Sequence, residues 1–272
     1  MKRVIALCVV ICVMASLSLR AENFDYGIGS AIENQENKLL YSEKDIEQLK
    51  DLIEKMQANK TIYTEKDVEQ LASLGTTAIR ALLVPTINLF GALQPVLQTL
   101  LTMPAMQNLI PVLINPFESM IYQLAAPAIR LATGREVINI DGATLYDMIQ
   151  SGQELQLIDV RTPGEWEQIR VPGAINIPMQ NVNAALQDGT IKPGIPIVYI
   201  CQSGFRAFMT GLLTLTYDEF SNTPVYNLEG GTIGAWVEEG YPTEGELGTG
   251  DTVNPPGENE AYIPPGLIRG GC

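Results

Sequence analysis

Histidine is absent from the 272 residues, which removes His-based catalytic dyads and His-rich metal sites. Any general base must therefore be a carboxylate, a thiolate, an amine or water. Basic residues are scarce as well: 17 Lys and Arg stand against 31 Asp and Glu, a formal charge of −14. A surface with that balance repels phosphate backbones, so nucleic acid is excluded as a partner. Cysteine occurs only at positions 8, 12, 201 and 272, too few for a disulfide framework. No metal site and no cofactor are implied by what remains.

Acidic residues are missing before Glu22, and the chain opens on a short cationic start, an apolar core from Val4 to Leu17 and a small residue, Ala21. These are the marks of a secretory signal peptide over residues 1–21, with an uncleaved anchor as the alternative. Export to a bacterial periplasm or cell envelope follows. Cleavage would remove Lys2, Arg3 and Arg20, leaving 14 basic (17 − 3) against 31 acidic residues, or −17. It would also remove Cys8 and Cys12, so the mature chain keeps Cys201 and Cys272.

Residues 22–75 form a charged segment, predicted helical, with an internal repeat. YSEKDIEQL (Tyr41–Leu49) recurs as YTEKDVEQL (Tyr63–Leu71). In each copy Ser42 or Thr64 precedes an aspartate, Asp45 or Asp67, by three residues, a capping-box-like helix start. Residues 76–132 are apolar and nearly uncharged, interrupted by Pro85, Pro95, Pro104, Pro111, Pro116 and Pro127. Gln94, Gln98 and Thr102 lie four apart, with Leu89, Leu93, Val96 or Leu97 and Leu100 opposite. The pattern predicts broad amphipathic helices that end or kink at prolines, packed or self-associating, with a membrane surface or a membrane span as alternatives.

Residues 135–242 change character. Five apolar runs of strand length, VINIDG, LQLIDVR, AINIPM, IPIVYIC and TPVYNLEG, alternate with helix-like segments. Strand-helix alternation with short links predicts an α/β domain, a mostly parallel sheet flanked by helices and preceded by an all-helical region. Residues 243–272 are rich in Gly, Pro and acid and read as a flexible tail.

Within the α/β part, CQSGFR (Cys201–Arg206) falls between a buried strand and the helix that follows. Strand ends of open α/β sheets are where anions and substrates bind. Backbone N–H groups of Gln202, Ser203, Gly204 and Phe205 can converge there, and Gly204 permits the dihedrals that turn them inward. Arg206 adds a positive charge at the helix start, and the two effects together favour a nucleophilic thiolate at Cys201. The plainer alternative is a small hydrophobe closing a strand.

The segment from about Val137 to Pro242 resembles a single rhodanese domain. The matching pieces are IDVRTPGEW (Ile158–Trp166), VPGAINIP (Val171–Pro178), CQSGFRA (Cys201–Ala207) and NLEGGTIGAW (Asn227–Trp236). The resemblance implies a compact rhodanese-like parallel sheet. It also implies a Cys201 that takes sulfane sulfur from a small donor, holds it as a persulfide, and passes it to a thiol or cyanide-like acceptor. Four residues separate Cys201 from Arg206, where the related cysteine phosphatases carry five, so the cradle suits one sulfur better than a phosphoryl group. Asp159 and Arg161 match the family's Asp-x-Arg motif, which implies a supporting role.

Glu165 and Trp166 begin a short helix, with Trp166 read as core. Gly230 and Gly231 are backbone-access positions. Arg170 replaces a histidine common among relatives, and Gln202 occupies a position often cationic in thiosulfate-using ones. Cys272, at the end of the tail, is a candidate redox partner of Cys201. Three readings follow: an exported sulfurtransferase using thiosulfate or a similar donor, a non-enzymatic envelope module using the fold and residues 76–132, and a thiol-redox protein.

Overall fold

The computed structural model describes residues 64–101, 118 and 120–247, together with strands β1 (Glu33–Asn34) and β2 (Lys38–Leu39). The chain divides into two units, residues 1–53 and 54–272. In the first, β1 and β2 pair antiparallel, so the segment read as helical holds a strand pair; the helix start at Ser42 lies outside the described residues.

The second unit opens with the other copy of the repeat. Thr64 caps helix α1 (Glu65–Ser73): its hydroxyl accepts from the Asp67 amide, and the Asp67 carboxylate accepts from the Thr64 amide at 2.9 Å. Both halves of a capping box are thus present, as the S/T-x-x-D spacing predicts.

Helix α2 (Gly75–Leu101) then runs through Pro85 and Pro95 without ending at either. Near the first proline, the Thr86 hydroxyl donates back to the Leu82 carbonyl at 2.8 Å. Its inner face is set by Ile79, Leu83, Ile87 and Phe90, all at most 1% exposed. Continuing that stripe by seven residues from Ile87 turns Gln94 inward, while Val96 is 52% exposed. Gln94, expected on the polar face, is therefore turned inward, while of the expected apolar pair Val96 faces out and Leu97 is buried; the residues that pack earlier in the helix fix this rotation.

A π-helical turn, Ile121–Ala125, leads into α3 (Ala126–Thr133), which Gly134 closes in the left-handed region at φ 70°. From there the chain alternates strands and helices: β3 (Ile138–Ile140), α4 (Gly142–Gln150), β4 (Gln156–Asp159), α5 (Pro163–Gln168), β5 (Ile175–Asn176), α6 (Val182–Gln187), β6 (Ile197–Ile200), α7 (Phe205–Leu215) and β7 (Val225–Leu228). The five strands form one parallel sheet in the order β3-β7-β6-β4-β5. Each of the five apolar runs supplies one strand. The central strand β6 is fully buried, as its unbroken apolar sequence requires.

Trp236, 1% exposed, is the large core aromatic beside Ile140, Leu145, Val198, Ile200 and Leu228. Trp166 is not core. It is half-buried on α5 with the Arg170 guanidinium 4.1 Å from its ring centroid, and its indole donates to the Ala174 carbonyl. Arg170 in turn pairs with Glu244 at 3.2 Å, so the arginine in the histidine position clamps the end of the described chain.

The helical region is packed against this α/β domain. Gly91 on α2 lies so close to the 3-10 turn Met179–Asn181 that a Cβ there would sit 2.6 Å from the Gln180 Oε1. Arg80 donates through Nε to the Thr216 hydroxyl, bonds the Thr216 carbonyl through a terminal nitrogen, and stacks 3.8 Å over the Tyr217 ring. Helix α2 is, over 75–97, the one described helix long and apolar enough to cross a membrane; its inner face is occupied by these contacts.

Candidate active site at the Cys201 loop

Strand β6 delivers Cys201 to the C-terminal edge of the sheet, and α7 begins four residues later. Gly204 makes the turn between them at φ 101°, a backbone conformation that glycine adopts freely. Its amide donates to the Cys201 Sγ at 3.0 Å. The sulfur therefore sits against the loop's own backbone N–H, at the amino end of α7, where that helix has its positive end.

The outer side of the loop is held by the turn after β7. Gly230 and Gly231 both have positive φ, 81° and 65°, and a Cβ on Gly231 would lie 2.4 Å from the Cys201 carbonyl oxygen. The Thr232 amide donates to that carbonyl at 2.8 Å, and the Ile233 amide donates to the Gln202 carbonyl at 3.4 Å. These bonds satisfy the Cys201 and Gln202 carbonyls from the side of the β7 turn. The two glycines are thus backbone-access positions, as their place before the last helical turn (Ile233–Val237, π-helical) suggests.

Arg206 is 1% exposed, and its charge is committed. Its two terminal nitrogens bond both oxygens of Glu165, at 2.7 and 3.0 Å. The sequence pattern places the Arg206 charge at the start of the helix after the loop, and in the fold its two terminal nitrogens reach Glu165 on α5. Glu165 also accepts from the Thr162 amide and hydroxyl at 2.9 and 2.8 Å. Burial alone would raise its carboxyl, but the Arg206 bonds and charge together with Thr162 outweigh burial and bring it from 4.5 down to about 2. Glu165 was missed as a site residue. The Thr162-Pro-Gly-Glu165 capping box places its carboxylate, but its partner lies 41 residues away and leaves no local sign.

Asp159 and Arg161 form a second buried pair at 2.6 Å, 0% and 1% exposed. Arg161 also donates to the Ile169 carbonyl at 2.6 Å, and the Asn176 amide joins the Asp159 and Arg161 carbonyls at 3.0 and 2.9 Å. The pair ties the end of β4 to the following segments and bonds backbone there, which is a supporting arrangement. Gln202 and Ser203 are half-buried in the loop, Phe205 opens α7, and Cys201 itself is 1% exposed. Among the described residues Cys201 is a free thiol, and no group of His, Cys, Asp and Glu could hold a metal ion. Cys272 lies outside the described residues.

One neighbour comes from the helical region. The Tyr122 ring stacks on Phe208 at 5.1 Å and lies 5.7 Å from Phe205, which also meets Phe90 edge-on at 5.7 Å. Partial burial, then Glu118, Cys201 and Glu229, push the Tyr122 phenol up to about 12. Nothing in the spacing around Tyr122 marks it, since the contact is made only when the two regions dock.

A family model described as the Rhodanese-like domain matches residues 141–239. A sulfurtransferase of Allochromatium vinosum is 31% identical over 108 residues, covering 39% of this chain and 94% of that one. YtwF of Bacillus subtilis is 31% identical over 107 residues, covering 39% of this chain and 97% of its own length. Among solved structures, a rhodanese-related protein from Thermoplasma volcanium is 27% identical, covering 40% of this chain and 98% of that one, with a TM-score of 0.32.

Proposed function

Because the chain belongs to the rhodanese-like sulfurtransferase family through residues 141–239, we propose that Cys201 carries sulfane sulfur as a persulfide. Its thiolate attacks the outer sulfur of a donor. The donor's S–S bond breaks, its electron pair leaves with sulfite or a thiolate, and a new S–S bond forms on Cys201. An acceptor nucleophile, a thiol or a cyanide-like anion, then attacks that outer sulfur and regenerates the thiolate. The transferred sulfur is exchanged at one oxidation level, so neither half needs an external oxidant or reductant.

The observation that carries this reading is the Gly204 amide 3.0 Å from Sγ in a loop whose Cys201 and Gln202 carbonyls are bonded to the turn after β7. Donors fixed before reaction stabilise first the thiolate and then the anionic persulfide, at no reorganisation cost in the reacting step. Arg206 acts through Glu165, as a positioning residue that fixes the first turn of α7 against α5. Asp159 and Arg161 hold the neighbouring strand end.

Incubation with a sulfane donor should add one sulfur atom to the intact mass of the wild type and none to Cys201→Ser. Absence of the adduct with every donor tried would end the proposal. Export through residues 1–21 belongs to the same reading, supported by the cationic start and apolar core. Amino-terminal sequencing of the mature protein from the cell envelope tests it, a start at Met1 in soluble protein being the contrary result.

A further inference from the structure

Gln94 is the polar side chain of α2 that the fold turns inward. It is 2% exposed, and its Nε2 has no hydrogen-bond partner. A buried amide stripped of water and left unpaired is destabilising, so its presence there calls for a reason other than packing. Its place in the fold supplies one. Helix α2 runs antiparallel to α7: Arg80 bonds Thr216 at the carboxyl end of α7, and Phe90 meets Phe205 at its amino end, with ring centroids 5.7 Å apart. The two spans match, about 15 Å along the helix from Arg80 to Phe90 and about 16 Å from Phe205 to Thr216. Gln94 lies one further turn on, about 6 Å past Phe90 on the same face of α2, and so projects beyond the start of α7 on the side of the Cys201 loop. A second anchor agrees. Gly91, three residues before Gln94, is pressed against Met179 and Gln180, and the Met179 amide donates to the Val160 carbonyl at 3.1 Å. The Val160 amide in turn donates at 2.8 Å to the carbonyl of Ile200, the residue before Cys201. The turn of α2 that carries Gln94 therefore sits at the C-terminal edge of the sheet, where Gly204 presents its amide to Sγ.

We propose that Gln94 is a substrate-binding residue of the Cys201 site: its amide N–H receives an oxyanion carried by the sulfur donor, either the sulfonate oxygens of thiosulfate or the carboxylate of a thiol-acid hydropersulfide. The inference rests on Cys201 being the persulfide carrier and names the group by which its donor is held. The chemistry of the amide fits this role. Nε2 donates and does not accept, so its complement is an acceptor, and a charged oxygen is the acceptor that bonds most strongly to a donor kept out of water. Arg206, the cation of the loop, bonds Glu165 through both terminal nitrogens, so an uncharged N–H from α2 is added to the loop's own amides. With thiosulfate, the Cys201 thiolate attacks the outer sulfur, the S–S bond breaks, and the electron pair leaves with sulfite together with all three oxygens. A group bonded to those oxygens holds the leaving group both before and after that step. It therefore sets how tightly the donor binds more than how fast the sulfur transfers. Gln94 lies outside the matched segment 141–239, so this contact belongs to the helical region.

The test measures sulfur loading of the full chain by intact mass, as a rate against donor concentration, in wild type and Gln94→Met. Methionine keeps the unbranched length of glutamine and removes its donors. Three donors are compared: thiosulfate, the hydropersulfide of mercaptoacetate, and ethyl hydropersulfide, which carries no oxygen. Q94M is expected to raise the half-saturating concentration of an oxyanion donor about ten-fold, with the maximal rate within about two-fold of wild type. Ethyl hydropersulfide should load both proteins alike, within about two-fold. Q94M should also melt no lower than wild type, because it removes an unpaired buried donor, and Q94L is expected to repeat both results. A loss confined to one of the two oxyanion donors identifies the source of the oxyanion. An unchanged half-saturating concentration for both of them, or an equal loss with all three donors, overturns the inference and leaves the persulfide reading standing. Loading of wild type from none of the three overturns both.

Discussion

Replacing Glu165 by Gln tests whether the loop is held by its buried ion pair. The change keeps the side chain's size and removes one charge, leaving the Arg206 guanidinium, 1% exposed, with an amide where it had a carboxylate. Two routes give the magnitude. Removing one partner of a buried pair costs about 3–5 kcal/mol. Independently, a carboxyl brought from 4.5 to about 2 by folding is worth about 3 kcal/mol at neutral pH. The two agree at about 3 kcal/mol, which with a urea m-value of about 2 kcal/mol/M moves the midpoint down by about 1.5 M.

The pH dependence follows from the direction of the shift. The folded-state value lies below the unfolded one, so the stabilisation is complete above 4.5 and is lost as pH falls toward about 2. At pH 3 roughly one unit of the difference remains, or about 1.4 kcal/mol. Urea titrations of wild type and Glu165→Gln, followed by tryptophan fluorescence at pH 7 and pH 3, should therefore show a gap that halves in acid. A gap below about 1 kcal/mol at pH 7, or one of equal size at both pH values, would refute the reasoning.

Two other substitutions probe the supports of the site. Gly231→Ala forces a Cβ within 2.4 Å of the Cys201 carbonyl at a positive φ, so a loss of about 2–4 kcal/mol is expected, with slower sulfur loading as the loop shifts; an unchanged thermal midpoint would contradict this. Arg80→Ala removes the bonds to Thr216 and the stacking on Tyr217, and should loosen the helical region by about 1–2 kcal/mol. Faster amide exchange in α2, with the sheet unaffected, is the expected signature; uniform exchange across both would place the weakness elsewhere.

Most of the sheet was readable because its strands are short apolar runs with turn residues between them, and in a parallel sheet buried on both faces the sequence needs no alternation to declare a strand. The cysteine loop was readable for a related reason: a strand end, Gly204 and a helix start are all local. What escaped was long-range pairing. Glu165 and Arg206 each look like ordinary first-turn helix residues, and only the packing of α5 beside α7 joins them. The rotation of α2 escaped similarly. Gln94 looked like the outer face because its neighbours at four-residue spacing are polar, whereas Ile79, Leu83 and Ile87 had already fixed which side packs. Trp166 is expected in the core, whereas an amphipathic ring can stay half-exposed under an arginine, as this one does beneath Arg170.

The same packing explains why α7 has the sequence it has. In a sheet-covering helix with one face to solvent, a polar stripe is expected. Yet of Phe205–Leu215 every residue except Phe208 is buried. The helical region supplies the second cover, and it holds α7 at both ends. Phe90 and Tyr122 meet Phe205 and Phe208 at the amino end, beside the sulfur. At the carboxyl end Arg80 bonds Thr216, and Arg135, where the α/β domain begins, donates to the Leu215 and Phe220 carbonyls at 2.7 and 2.9 Å. Guanidinium groups at that end satisfy carbonyls that have no intrahelical partner and complement the helix dipole. The opposite, positive end of the same dipole faces Cys201. Removing the helical region would therefore both bare an apolar helix face and release the element whose first turn sets the geometry around Sγ. Helix α2 and the segment 120–133 are accordingly part of the site's architecture and not an appendage to it.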